Sequence, residues 1–177
     1  MSGYACAPVG PFDRSRSQFD ALLAELLGGG VEGLTQAQVE QLLVEREREL
    51  FRRVMQELLD WRAARESRRD DVVGFDMVAR TRVERGHQRG LATVFGPVTV
   101  TRLAYRAPWV SNLYPCDAAL NLPDGRYSYE LRRLVAVESV RGSFDDAGRA
   151  VERVTGVRVG KRQVEQLATA AVERLSA

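Results

Sequence analysis

The chain has 177 residues, 45% of them hydrophobic and 28% charged, with a formal net charge of +2. That length holds one domain or two small ones around a real core, and that composition excludes a disordered chain. No apolar run reaches membrane length and the start, MSGYACAPVGPF, lacks a charged region followed by an apolar core, so a cytoplasmic location is expected. Cys6, Cys116 and His87 are too few and too scattered for a disulfide framework or a metal site, and no cofactor is expected.

Of the 26 Lys plus Arg, Lys161 alone is lysine, a usage that reads as codon bias, so the number of arginines says little about partners. Their placement says more. Residues 1–60 carry six arginines against ten acidic residues, a net of −4, while residues 61–107 carry ten against five, a net of +5. A basic middle fits a phosphate-facing surface, because neutralising phosphates is the sequence-independent part of DNA affinity.

In chain order, a Gly/Pro-bearing lead runs to about Arg14. A short helix follows with Phe19, Leu22, Leu23, Leu26 and Leu27 on its apolar face, ended by Gly28-Gly29-Gly30. Thr35 caps a long helix with the stripe Val39, Leu42, Leu43, Leu50, Val54, Leu58 and Trp61. Its spacing is nearer 3.6 than a heptad, which favours packing on its own domain; dimerisation through it stays open. From Val72 to Arg106 the period changes, and β-branched runs either side of Gly96-Pro97 predict a hairpin. Arg82, Arg85, Arg89, Arg102 and Arg106 lie in or beside it. Such a hairpin is either a DNA-backbone contact or a structural platform with a wet face. Residues 107–127 read as a Pro- and Asn-rich connector ordered by Trp109, Leu113, Tyr114 and Leu120.

The last fifty residues carry three amphipathic segments. The first has Leu131, Leu134 and Val135 as its stripe. The second opens at Ser143, with Asp146 completing an S-x-x-D capping box, buries Phe144, Ala147, Val151 and Val154, and stops at Gly156. The third runs from about Gly160 with Val164, Leu167, Ala171 and Leu175 inward, leaving Lys161, Arg162, Gln163 and Gln166 off that stripe. Gly148 in mid-helix costs about 1 kcal/mol against Ala, which the close approach of a neighbouring helix would explain. Three short helices with a cationic, amide-rich start on the last make a helix-turn-helix pattern, in which the third helix reads base edges in the major groove. A three-helix bundle with a solvated outer face would look similar. The break from Val154 to Gly160 is longer than the usual turn.

The run RGHQRGLATVFGPVTVTRLAYR, then LYPCDAALNLPDGRYSYELRR, then VRGSFDDAGRAVERVTGVRVGKRQVEQLA resembles the N-terminal half of ISKra-type insertion-sequence transposases. The phrases T-x-FG-x-V-x-V-x-R-x-AY, DAALNLP, RGSFD and KRQVE occur in the family's order. The likeness covers residues 72–175 well and residues 15–69 more loosely. It implies DNA binding at element ends, the terminal inverted repeats, in a bacterial mobile-element protein. The family's strand cleavage and joining rest on a ribonuclease-H-like domain whose acidic triad holds divalent metal. The chain stops at Ala177, about where that domain would begin, and no triad position can be matched. Asp70, Asp71 and Asp76 sit in a connector and Asp145 and Asp146 fit capping, so no catalytic or metal-binding residue is expected, and the chain is not expected to be an enzyme on its own.

The expected fold is mainly α with a small antiparallel β-hairpin. Its four segments are a lead and short helix (1–33), a long helix (34–71), a basic hairpin and connector (72–127) and the helix-turn-helix unit (128–177). The expected DNA contacts are Lys161, Arg162, Gln163 and Gln166 at bases and Arg158 at phosphate, with Arg89 and Arg102 from the hairpin. The expected partner is double-stranded DNA. The alternative is a dimerisation or protein-interaction module that assembles with or inhibits full-length transposase through the long helix.

Overall fold

The computed structural model describes residues 10–70 and 72–175, the last two through their backbone only; Cys6, Asp71 and the inward role expected of Leu175 lie outside the described residues. Helices dominate, with one two-stranded antiparallel sheet, as the patterning predicts. The elements are α1 (Asp13–Leu27), α2 (Gln36–Ala64), β1 (Arg82–Thr93), β2 (Gly96–Arg106), α3 (Pro115–Ala119), α4 (Tyr129–Ser139), α5 (Phe144–Thr155) and α6 (Lys161–Leu175). No helix among the described residues is long and apolar enough to cross a membrane.

Helix α1 has no side-chain cap of its own at its start. Glu57 of α2 supplies one: its carboxylate accepts from the Arg14 N–H at 3.1 Å, the Ser15 N–H at 3.0 Å and the Ser15 hydroxyl. An anion at the positive end of a helix is favourable, and here it also joins the two helices. The apolar face expected of α1 is only half used, since Phe19, Leu23 and Leu27 are exposed while Leu22 and Leu26 are partly covered. The cap expected at Thr35 forms, as a capping box with Gln38 as its far member, an arrangement that stabilises a helix start by about 1 kcal/mol.

Helix α2 keeps its expected stripe in part, with Val39, Leu42, Leu50, Val54 and Leu58 partly covered. Leu43 and Trp61 are exposed, and the buried position is Leu59, which with Met55 packs on Leu91, Val98 and Val100 of the sheet. The reason is polar. Gln56 donates to the Thr99 carbonyl at 2.9 Å and accepts from the Thr99 N–H at 2.8 Å, and Glu66 accepts from the Leu103 N–H at 2.8 Å. Gln56 of α2 and Glu66 just beyond its end thus cap the free edge of β2, an edge that would otherwise be open to pairing with other chains.

The hairpin is longer than expected, starting at Arg82, with a bulge between Glu84 and His87. Its turn is Val94-Phe95 rather than Gly96-Pro97, which lie in β2 opposite Thr93 and Ala92. Thr93 fixes that turn, its hydroxyl donating to the Gly96 carbonyl and accepting from the Phe95 N–H. Leu91 faces α2, whereas Ala92 belongs to the core of α4, α5 and α6. The Ala92 N–H donates to the Arg126 carbonyl at 2.7 Å, and the Ser128 N–H to the Ala92 carbonyl at 2.9 Å. The trihelical unit is therefore stitched to the sheet by backbone as well as side chains. Within the expected connector, Pro115 starts the short helix α3, a position where its missing N–H costs nothing.

Candidate nucleic-acid interface

The trihelical unit is built as its sequence implies. Ser128 caps α4 through the Leu131 N–H. Ser143 caps α5 through the Asp146 N–H at 3.2 Å, and its hydroxyl donates to the Asp146 carboxylate at 2.6 Å. That hydroxyl and the Arg149 guanidinium hold the Asp146 carboxyl below its usual range. Leu131, Val135, Ala147, Val151 and Val164 are fully enclosed, while Val154, expected inward, is exposed. Position 154 gives way to Thr155, whose buried hydroxyl donates to the Val151 carbonyl at 2.7 Å and accepts from the Val157 N–H at 3.1 Å.

The unusually long break is ordered. Gly156 ends α5 in the left-handed conformation at φ 69°, and Val157 and Val159 drop back into the core with Arg158 exposed between them. Each valine buried stabilises by roughly 1.5–3 kcal/mol, enough to fix the chain that leads into α6. The close neighbour of Gly148 is the turn ahead of α6 rather than a helix: a Cβ added to it would lie 3.1 Å from the Val159 carbonyl oxygen.

On α6, Lys161, Arg162, Gln163 and Gln166 are all exposed, on the side away from Val164 and Leu167. They are not equivalent. The Lys161 ammonium sits 2.7 Å from Asp145 at the start of α5, which raises its pKa and spends its charge inside the protein. Arg133, Arg141 and Arg149 are likewise paired, with Glu130, Glu138 and Asp146. Arg153, Arg158 and Arg162 have no such partner among the described residues, so the uncommitted positive charge of the unit gathers around the turn into α6. Arg153 escaped the sequence reading. So did exposed Glu165, a side chain suited to accept from a cytosine amino group.

The two hairpin arginines leave the candidate set. Arg102 is only 8% exposed, lies 4.0 Å over the Tyr114 ring and 3.2 Å from Asp117. Its Nε and Nη1 are not aligned for any hydrogen bond, so the ion pair and the ring hold it. Arg89 pairs with the same carboxylate at 3.3 Å and donates to the Pro123 carbonyl at 2.8 Å and to that of Gly125. Asp117, an acid in the connector, draws both inward. Of the two hairpin readings, the structural platform describes these residues. His87 lies in β1 with Nε2 2.8 Å from Glu84.

A further cation orients the unit. Arg48 of α2 donates to the Arg153 carbonyl at 3.2 Å and the Val154 carbonyl at 3.0 Å, placing positive charge on the negative end of α5. The long helix, the sheet and the trihelical unit thus meet, and α6 is presented from a braced base. Compared with protein-family models, with curated proteins and with solved structures, the chain finds no match in any of the three.

Proposed function

We propose that the chain is the DNA-recognition region of an insertion-sequence transposase, binding element ends through α4, α5 and α6. The observation that carries it is the uncommitted charge of Arg153, Arg158 and Arg162 beside exposed Gln163 and Gln166 at the start of a braced third helix. Arg162, Gln163 and Gln166 read bases; Arg158 and Arg153 take phosphates. The family assignment is supported by the phrases T-x-FG-x-V-x-V-x-R-x-AY, DAALNLP, RGSFD and KRQVE. The test is fluorescence anisotropy with terminal inverted repeats against a shuffled duplex at low and physiological salt. A preference for the ends that survives salt, and that vanishes in Arg162→Ala with Gln163→Ala, is the expected result. Equal binding to both duplexes that fades with salt would reduce the unit to a nonspecific phosphate contact.

A second reading, a dimerisation or transposase-binding module, has an observation of its own. Leu23, Leu27, Leu43 and Val44 leave apolar surface on α1 and α2 exposed. Leu50 lines the groove between these helices, so charging it would disturb folding. Leu43→Glu with Val44→Glu is the cleaner test, and a chain that stays monomeric and captures no transposase before the change removes this reading.

A further inference from the structure

At the open end of the hairpin two loops carry fully exposed aromatic side chains, Phe75 in the segment between Val73 and Ala79 and Trp109 in the segment between Tyr105 and Leu113. Each segment is closed at its base by a β-bridge, so these are shaped loops. One residue holds both. Buried Arg80 grips Asp76 of the first loop through paired contacts of 2.6 and 2.7 Å, and donates to the Ser111 carbonyl of the second at 3.1 Å. Met77 and Trp109 take left-handed backbone at φ 57° and 63°, which side-chain-bearing residues rarely adopt and which collects at ligand contacts. Beside Phe75 and Met77 opens a cleft of about 530 Å³, lined in part by Val72, Leu113, Tyr114 and Arg69. That is ample for a nucleobase.

The charge around these aromatics decides what they meet. Exposed Arg68 and Arg69 precede the first loop, and exposed Arg82 and Arg106 face each other across the strands from which the loops spring. Of the carboxylates nearby, Asp76 is paired with Arg80 and Glu84 with Arg106 and His87, while Asp70 is exposed beside Arg69, so the cations there without an ion pair among the described residues are Arg68, Arg69 and Arg82. Rigid aromatics in a cationic surround match a strand whose bases are unstacked, each base lying on a ring while arginines track the backbone.

We infer that the Phe75 and Trp109 loops form a second nucleic-acid contact, a stacking site for unpaired or distorted bases, separate from the duplex-reading face of α6. The inference deepens the transposase reading but fails independently of it, because the two contacts use different residues. The experiment takes the full chain with Trp61→Phe, which leaves Trp109 as the sole tryptophan, and titrates it with a single-stranded oligothymidylate of roughly 16 nucleotides. Expected are quenching of Trp109 emission and about a tenfold weaker affinity in Phe75→Ala. In the otherwise native chain, Trp109→Ala should weaken binding to a similar degree and Trp109→Phe should restore most of it. Arg162→Ala should leave single-strand binding intact while weakening duplex binding. The inference is overturned by absent quenching, by affinity unchanged in Phe75→Ala and Trp109→Ala chains of native melting temperature, or by a dimer that those variants dissociate without altering single-strand affinity.

Discussion

The Lys161 ammonium lies 2.7 Å from the Asp145 carboxylate, so the one lysine of the chain, at the point where α6 begins, is already engaged by the first turn of α5. On the proposed reading, DNA competes with that pair. Replacing Asp145 with Asn frees the ammonium while keeping a polar group near the helix start. The expected outcome is duplex affinity higher by about two- to fivefold, and a salt dependence steeper by about one phosphate contact. Lys161→Ala in the native background should cost less than Arg162→Ala. Anisotropy across a salt series measures both; a larger loss for Lys161→Ala would mean the pair opens freely on DNA.

Arg102 and Arg89 share Asp117, and the prediction for them is opposite in kind. Arg102→Ala leaves a partly buried carboxylate without its closest charge and strips Tyr114 of its stacked guanidinium. Breaking such a pair should lower stability by about 3 kcal/mol. Duplex affinity per folded molecule should stay within twofold, because neither arginine lies on the α6 face. Urea denaturation and binding, measured on the same preparations, separate the two effects. Affinity lost in proportion to charge with no loss of stability would return the hairpin to the DNA-contacting set.

What could be read from residue order was local. Ser143, Gly156 and Thr35 act through neighbours a few positions away, and their caps formed where the spacing places them. The trihelical stripe was legible because Leu131 and Val135, Ala147 and Val151, and Val164 and Leu167 recur at helical spacing within their own helices. The fate of the charges was not. Whether an arginine meets solvent or Asp117 depends on a connector that residue periodicity does not describe, and Lys161 meets Asp145 across a turn. The stripe of α2 was legible except at Leu43 and Trp61, which are exposed, and at Leu59, which is buried where Gln56 faces the strand edge.

Gly156 and Arg48 make a testable couple. Gly156→Ala places a Cβ in left-handed backbone, at a cost of about 1–2 kcal/mol, and brings it 3.0 Å from the Arg48 Nη1. The Arg48 guanidinium would have to shift from the carbonyls it caps. Arg48→Ala alone should cost about 1 kcal/mol through the loss of hydrogen bonds to the end of α5. The double variant should lose less than the sum, since the steric part disappears with the guanidinium. Strict additivity in thermal or urea unfolding would show that the two residues do not act together.

Asp76 supplies a pH dependence with a definite sign. Its hydrogen bonds with Arg80, aided by the Val78 N–H, depress its pKa from 3.8 to about 2. A group whose folded pKa is lowered adds stability that is complete above the unfolded value and is lost as pH falls through the folded one. The native chain should therefore exceed Asp76→Asn in stability by a constant margin from neutral pH down to about pH 5. That margin should shrink as pH falls from about 4 toward 2. Arg80→Ala removes the partner on both loops and should abolish the pH dependence along with the margin. Urea midpoints across this range measure it; a difference between native and Asp76→Asn chains that persists unchanged to pH 2 would show that the carboxylate's charge is not what holds the loops.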